Sequence, residues 1–162
     1  MEVALFADVL TLKEALEFDH NIHTEDDYQL TSCCCPMWIA MLKKVYHELM
    51  PHVPGAVSPM VAAGRTIKIL HPDSLTIFIG PCIAKKAEAR EPDLVGAVDY
   101  VLTFQEVQDI FAAADIHPET LEDSERDHSS RAGRIYARAG GVSEAVQATV
   151  NQLHPGRGIQ IR

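Results

Sequence analysis

A chain of 162 residues with 47% apolar content holds enough material for one core, burying roughly 70% of the extended-chain surface, and its formal net charge of -9 without a dense Lys/Arg stripe argues against a nucleic-acid or anionic-membrane surface. There is no run of about 18 apolar residues to cross a bilayer, and the N-terminus lacks a basic region followed by an apolar stretch. The expectation is one cytoplasmic domain with redox or small-molecule partners.

Val3 to Phe6 reads as a short strand, and Thr11 to Phe18 as a helix opened by a capping box of Thr11 and Glu14. That helix sets Glu14 and Glu17 on one face. Two carboxylates so placed are either solvated surface acids or members of a proton path. Gln29 to Ser32 is a brief extended segment. Pro36 then suits a first helical turn, and Trp38, Leu42, Val45 and Leu49 recur at helical spacing. Pro51, Pro54, Gly55 and Pro59 break that helix into a loop, and Met60 to Gly64 begins another.

Leu75 to Ile79 is an apolar run that fits a strand buried on both faces, and Gly80-Pro81-Cys82 turns it into a helix rich in Ala, Lys and Glu. Ala97 to Thr103 is a further apolar strand, followed by a capping box of Thr103 and Glu106 ahead of Val107, Ile110, Phe111 and Ala114. This alternation predicts an α/β fold, a parallel sheet with flanking helices. From Asp115 to Arg138 the pattern dissolves into a polar loop crowded with Glu119, Glu122, Asp123, Glu125 and Asp127. Gly140-Gly141 leads into a last helix whose stripe is Val142, Ala145, Val146, Thr149 and Leu153, and Ile159 to Arg162 reads as a strand.

All four cysteines lie in two short segments, Thr31-Ser32-Cys33-Cys34-Cys35-Pro36-Met37-Trp38 and Gly80-Pro81-Cys82-Ile83-Ala84-Lys85-Lys86-Ala87-Glu88. Three are consecutive, and neighbouring residues rarely meet disulfide geometry, so reduced thiols are expected. Each segment precedes a helix, where free N–H groups and the helix dipole favour a thiolate. In open α/β sheets such turns lie beyond the carboxyl ends of the strands, where ligands bind. Clustered cysteines of this kind read as a soft metal centre or as plain buried thiols. Lys85 and Lys86 read as surface charges or as cations beside an anionic ligand. A zinc site from the cysteines with His47 or His71 is a weaker reading, since no pair has the usual ligand spacing.

Thr-Ser-Cys-Cys-Pro-x-Trp and Pro-Cys-x-x-Lys-Lys-x-Glu resemble the first two active-site motifs of the catalytic domain found in the large subunit of iron-only (FeFe) hydrogenases. The similarity runs on through Leu121-Glu122-Asp123-Ser124-Glu125, Ala132-Gly133 and Gly140-Gly141-Val142-Ser143-Glu144-Ala145. It covers nearly the whole chain but about the first half of that family's domain, so residues 1–162 are expected to form one lobe of it.

The resemblance implies an H-cluster, a 4Fe-4S cluster held by four cysteines and joined through one thiolate to a two-iron subsite, which makes and splits dihydrogen. Aligned on Pro36 and Trp38, Cys35 matches the family's first cubane ligand and Cys34 its proton-transfer cysteine. Cys82 matches the second ligand, Lys85 a lysine that contacts a cyanide of the subsite, and Ser58 a serine that hydrogen-bonds the other cyanide. Glu14 and Glu17 match two glutamates of the family's proton route. Ferredoxin or flanking iron-sulfur domains are the implied electron donors.

The departures carry expectations too. Cys33 is an extra cysteine, and alignment on Thr31 and Ser32 would instead give the two roles to Cys33 and Cys34. Pro54 falls where the family's proton route has a serine, and proline offers no hydroxyl. Met60 stands where a glutamine is common, and Gly80 where a methionine packs against the subsite. These changes point to slow turnover or a sensory member. The family's third motif, Cys-x-x-x-Cys, has no counterpart after Cys82. The chain is therefore expected to be a fragment, lacking the C-terminal half of the domain, without a working H-cluster of its own and prone to self-association through exposed apolar surface. The rival reading is a non-catalytic relative that binds an iron-sulfur cluster or senses redox state or dihydrogen.

Overall fold

The computed structural model describes residues 1–24, 26–123 and 128–156. Its contacts divide the chain into two compact units, one formed by Met1–Pro59 with Asp127–Arg162 and the other by Met60–Arg126. No helix among the described residues is long and apolar enough to cross a membrane.

The first unit is helical. It contains α1 (Ala4–Asn21), α2 (Pro36–Val45), a 3-10 segment over His47–His52, α6 (Arg131–Ile135) and α7 (Gly141–Leu153). α1 runs unbroken through both the strand expected at Val3 to Phe6 and the helix start expected at Thr11. A four-residue apolar run fits a buried helix as well as a strand, and here Ala7, Leu10, Thr11, Glu14, Ala15 and Phe18 recur on the buried face. Thr11 and Glu14 are thus mid-helix neighbours. The capping box expected of them does not form.

Ala15 and Phe18 of α1 pack against Val146 and Val150 of α7, with Ile22 and Val142 at the edge. Each large apolar side chain in this seam contributes roughly 1.5–3 kcal/mol by leaving water. Ala7, Tyr136 and Ala145 form a second cluster, lined by Cys34, Ala132, Ile135 and Val142. The stripe expected on the last helix is therefore present, although Leu153 is exposed.

Gln29 to Ser32 adopts no strand, and its Leu30 N–H donates instead to His52 O at 2.8 Å. α2 begins at Pro36, as expected, and ends at Val45. Leu49 then falls in the 3-10 segment.

The second unit holds α3 (Pro59–Leu70) beyond its first residue, β1 (Ile77–Ile79), α4 (Lys85–Glu88), β2 (Tyr100–Leu102) and α5 (Phe104–Ala113). β1 and β2 pair in parallel, Ile77 with Tyr100, Phe78 with Val101 and Ile79 with Leu102. The α/β expectation holds as a helix-rich fold with a small parallel sheet. Ile77 and Ile79 are each about half exposed, so β1 is not buried on both faces. Only Phe78, pointing to the other side of the strand, is sheltered.

α3 packs so tightly that a Cβ on Gly64 would lie 2.2 Å from Ala97 O. The capping box of Thr103 and Glu106 forms: the Thr103 N–H donates to Glu106 Oε2 at 2.8 Å and the Glu106 N–H to Thr103 Oγ1 at 3.3 Å. The polar stretch from Asp115 to Arg138 is not wholly loop, for it contains a 3-10 turn at Pro118–Thr120 and α6. Glu125, Asp127 and the strand expected at Ile159 to Arg162 lie outside the described residues.

Candidate functional site

The first cysteine segment leads into α2, with Cys35 as N-cap in an extended conformation and Pro36 in the first turn. Proline fits there because its missing N–H would have no intrahelical partner. Cys35 thus stands at the positive end of the helix, where a thiolate is favoured. Thr31 Oγ1, just upstream, lies 2.7 Å from Ser143 Oγ of α7 and ties the segment to the helical unit.

Glu14 is the centre of this site. It is fully buried in α1, its Oε1 accepts from Cys33 Sγ at 3.0 Å and from the Tyr136 hydroxyl at 3.4 Å, and its Oε2 has no hydrogen-bond partner. Burial raises its carboxyl from the ordinary 4.5 to about 7, against the lowering effect of the Cys33 and Tyr136 hydrogen bonds. A carboxyl held there gains and loses a proton near neutrality. Burial, then the Glu14 charge, pushes the Cys33 thiol well above its usual range. The same two causes push up the Tyr136 hydroxyl, which also hydrogen-bonds Cys34.

The thiol that meets Glu14 directly is the extra cysteine, Cys33, and Cys34 reaches the carboxylate's surroundings through Tyr136. Glu17 is half buried and paired with Lys13, whose Nζ also donates to Gly55 O at 2.8 Å. It borders a cleft of about 610 Å³ lined also by Asp26, Asp27, His52 and Pro54. Only Glu14 of the two acids is therefore deeply enclosed. Ser58 is buried near the end of the first segment of the same unit.

Cys82, Lys85 and Glu88 belong to the second unit. Cys82 is an exposed free thiol in the turn after β1. Lys85 donates to Glu88 Oε2 at 2.7 Å, one turn along α4, and both side chains are largely buried. Lys86 pairs with Glu106 and so braces the start of α5. A Cβ on Gly80 would meet the Phe78 ring at 2.7 Å, so glycine there leaves room for that aromatic side chain.

Sequence reasoning gave no role to Glu88 or Tyr136. The spacing of three between Lys85 and Glu88 was a usable signal. Tyr136 had none, being a lone aromatic whose partners lie more than a hundred residues away.

The thiols present have the chemistry of iron-sulfur ligands, being soft donors on accessible or helix-terminal positions. Among the described residues no three His, Cys, Asp or Glu side chains gather as a metal site.

Residues 1–160 match the family model for the iron only hydrogenase large subunit, C-terminal domain. Iron hydrogenase 1 of Clostridium pasteurianum is 31% identical over 155 residues, 86% of this chain and 27% of that protein. A cytosolic Fe-S cluster assembly factor of Kluyveromyces lactis is 32% identical over 82 residues, 51% of this chain and 18% of its own length. An apo FeFe-hydrogenase from Chlamydomonas reinhardtii superposes with a TM-score of 0.74 at 29% identity, over 94% of this chain and 43% of that one. The chain spans less than half the length of each of these relatives.

Proposed function

Because the chain belongs to the family of C-terminal domains from iron-only hydrogenase large subunits, we propose that it contributes one lobe of a hydrogenase centre, with Cys35 and Cys82 each giving a thiolate to a 4Fe-4S cluster. Lys85 and Ser58 would face the anionic ligands of the two-iron subsite. When bound, that group supplies the redox-active iron at which protons and dihydrogen interconvert. A cubane takes four protein thiolates, so the other ligands would come from polypeptide beyond residues 1–162. Ferredoxin or flanking iron-sulfur domains would deliver electrons.

The chain's own residues handle protons. Glu17, at the rim of the acidic cleft, takes a proton from solvent and passes it to Glu14, three residues along the helix. Glu14 holds it out of water for Cys34. The observation that carries this reading is the Glu14 carboxyl, buried and raised to about 7, with a free acceptor oxygen among the thiols of the family's first motif. Pro54, buried beside the cleft, leaves this route without a side-chain hydroxyl at that position.

A second reading is a non-catalytic iron-sulfur binding or sensing module. It is favoured by the likeness to the cytosolic Fe-S cluster assembly factor and by Pro54 and Gly80 in place of the family's serine and methionine. Anaerobic reconstitution, with iron and sulfide, of the chain joined to the polypeptide that supplies the remaining ligands, read by metal content and electron paramagnetic resonance after reduction, tests the thiolate assignment. The signal should fall in both Cys35→Ala and Cys82→Ala. A full signal in both variants would refute it. Dihydrogen evolution from the protein joined to its remaining ligands then separates the catalytic reading from the second one.

A further inference from the structure

We propose that His52 is a positioning residue for the first cysteine motif, clamping Tyr28 and Leu30 so that Cys33 to Cys35 are presented from a fixed lead-in. The clamp follows from contacts within the first unit, and its consequence for a cluster rests on the hydrogenase reading above.

Between the end of α1 at Asn21 and the start of α2 at Pro36, none of the described residues lies in a helix or strand. No regular ladder therefore holds the approach to the thiols. Metal ligands keep a set geometry only when the groups behind them are fixed, so other contacts must do the holding. His52 supplies them. Its main-chain O accepts the Leu30 N–H at 2.8 Å, its ring Nδ1 donates to Tyr28 O at 3.0 Å, and its imidazole stacks on the Tyr28 ring with centroids 3.9 Å apart and planes 21° from parallel.

The pattern is that of a parallel β-bridge with one part replaced. In such a bridge the N–H and C=O of one residue reach the carbonyl and amide on either side of the residue opposite, here Gln29. His52 ends the 3-10 segment, where main-chain amides are directed back along the turn, and its ring N–H takes the place of the amide. Tyr28 O can only accept, so Nδ1 must carry the proton. That fixes the tautomer. Further contacts hold the same stretch by its side chains: Asn21 Nδ2 donates to Gln29 Oε1 at 3.2 Å, and Thr31 Oγ1 lies 2.7 Å from Ser143 Oγ. Neither of these grips the main chain.

The test begins with the whole chain at about pH 8, above the ordinary histidine range. Long-range proton–nitrogen NMR spectra should show His52 with its proton on Nδ1. His52→Phe keeps a ring face for Tyr28 and loses the donor. It should speed hydrogen exchange of the amides from Leu30 through Cys35 roughly three- to tenfold, the loss of one hydrogen bond. The Thr76 amide, in the second unit, should be unaffected. His52→Asn puts a side-chain N–H close to where Nδ1 stands and should return exchange toward the parent rate.

A proton on Nε2 alone would overturn the clamp. So would a folded His52→Phe whose amides exchange at the parent rate, or a His52→Asn no slower than His52→Phe. If His52→Phe does not fold, the tautomer alone decides.

The consequence for the thiols is read in the chain joined to the polypeptide that supplies the remaining ligands, reconstituted with iron and sulfide. His52→Phe should broaden the electron paramagnetic resonance signal of the reduced cluster, and His52→Asn should sharpen it again. An identical signal in His52→Phe would overturn the positioning role. A parent that forms no cluster, while the tautomer and exchange results hold, would uphold the clamp and overturn only the hydrogenase reading.

Discussion

Asp8 caps a helix that is not its own: its Oδ1 accepts the Gly133 N–H at 2.8 Å, and its Oδ2 accepts the Ser130 N–H at 2.6 Å. The start of α6 is thereby fastened to the second turn of α1. Asp8→Ala removes both acceptors, leaving Ser130 Oγ as the remaining cap for the Ala132 and Gly133 amides. The expected loss is about 1–2 kcal/mol in a urea melt. Asp8→Asn, which keeps one acceptor oxygen, should lose less.

The same junction is closed to side chains. A Cβ on Gly133 would lie 2.3 Å from Ala4 O and 2.8 Å from Asp8 Cγ. Gly133→Ala must therefore push α6 off α1, at a cost of roughly 1–3 kcal/mol. Gly156→Ala, where a Cβ meets nothing within 4 Å, is the matched control and should leave the melt unchanged.

Glu14 gives stability a pH dependence of definite sign. Its folded value, about 7, lies above the ordinary 4.5, so the folded state binds the proton more tightly. The associated stability is fully present below about pH 4.5 and is lost as pH rises through about 7, a swing on the order of 3 kcal/mol. Glu14→Gln should flatten that part of the stability profile. Denaturant midpoints that fall just as steeply between pH 5 and 8 in the variant would rule this out.

Asp99 works in the opposite direction. Lys68 Nζ and the Thr76 N–H and hydroxyl donate to its Oδ2 at 2.7, 2.7 and 2.8 Å and hold its carboxyl down to about 2, the Lys68 hydrogen bond foremost. Its contribution is present above the ordinary value of 3.8 and fades as pH falls through 2. Asp99→Asn should lower the melting temperature at pH 5 and speed exchange of the Thr76 amide. At pH 2 the gap between variant and parent should narrow.

Thiol reactivity should follow burial and charge. Cys82 is exposed, whereas Cys33 is enclosed against Glu14 and its thiol is pushed up by burial. Iodoacetamide at neutral pH, followed by peptide mass spectrometry, should modify Cys82 first and Cys33 last. Glu14→Gln should make Cys33 more reactive by removing the adjacent negative charge.

Some of this was legible from local chemistry. Pro36 marked the start of α2, Thr103 with Glu106 marked that of α5, and two apolar runs separated by a helical stretch marked a parallel pair. Each of those signals acts within a few residues. Thr11 and Glu14 show the limit, because a spacing of three serves a capping box and a buried helix face equally. What decided between them was the packing of α1 against α6 and α7, from the other end of the chain. The two cysteine motifs stood out by residue type alone. The contacts of Glu14 with Cys33 and Tyr136 depend on tertiary arrangement and had no local signature.

The first unit draws its parts from Met1–Pro59 and Asp127–Arg162, with the whole second unit between them. On the ribosome, at about 5–20 residues per second, α1 and the three consecutive cysteines emerge early but must wait several seconds for Tyr136 and α7. The second unit, being continuous, is complete before they arrive. During that interval Glu14 lacks its Tyr136 partner. The nascent chain thus gains the Tyr136 contact of Glu14 only after residue 136 has been made.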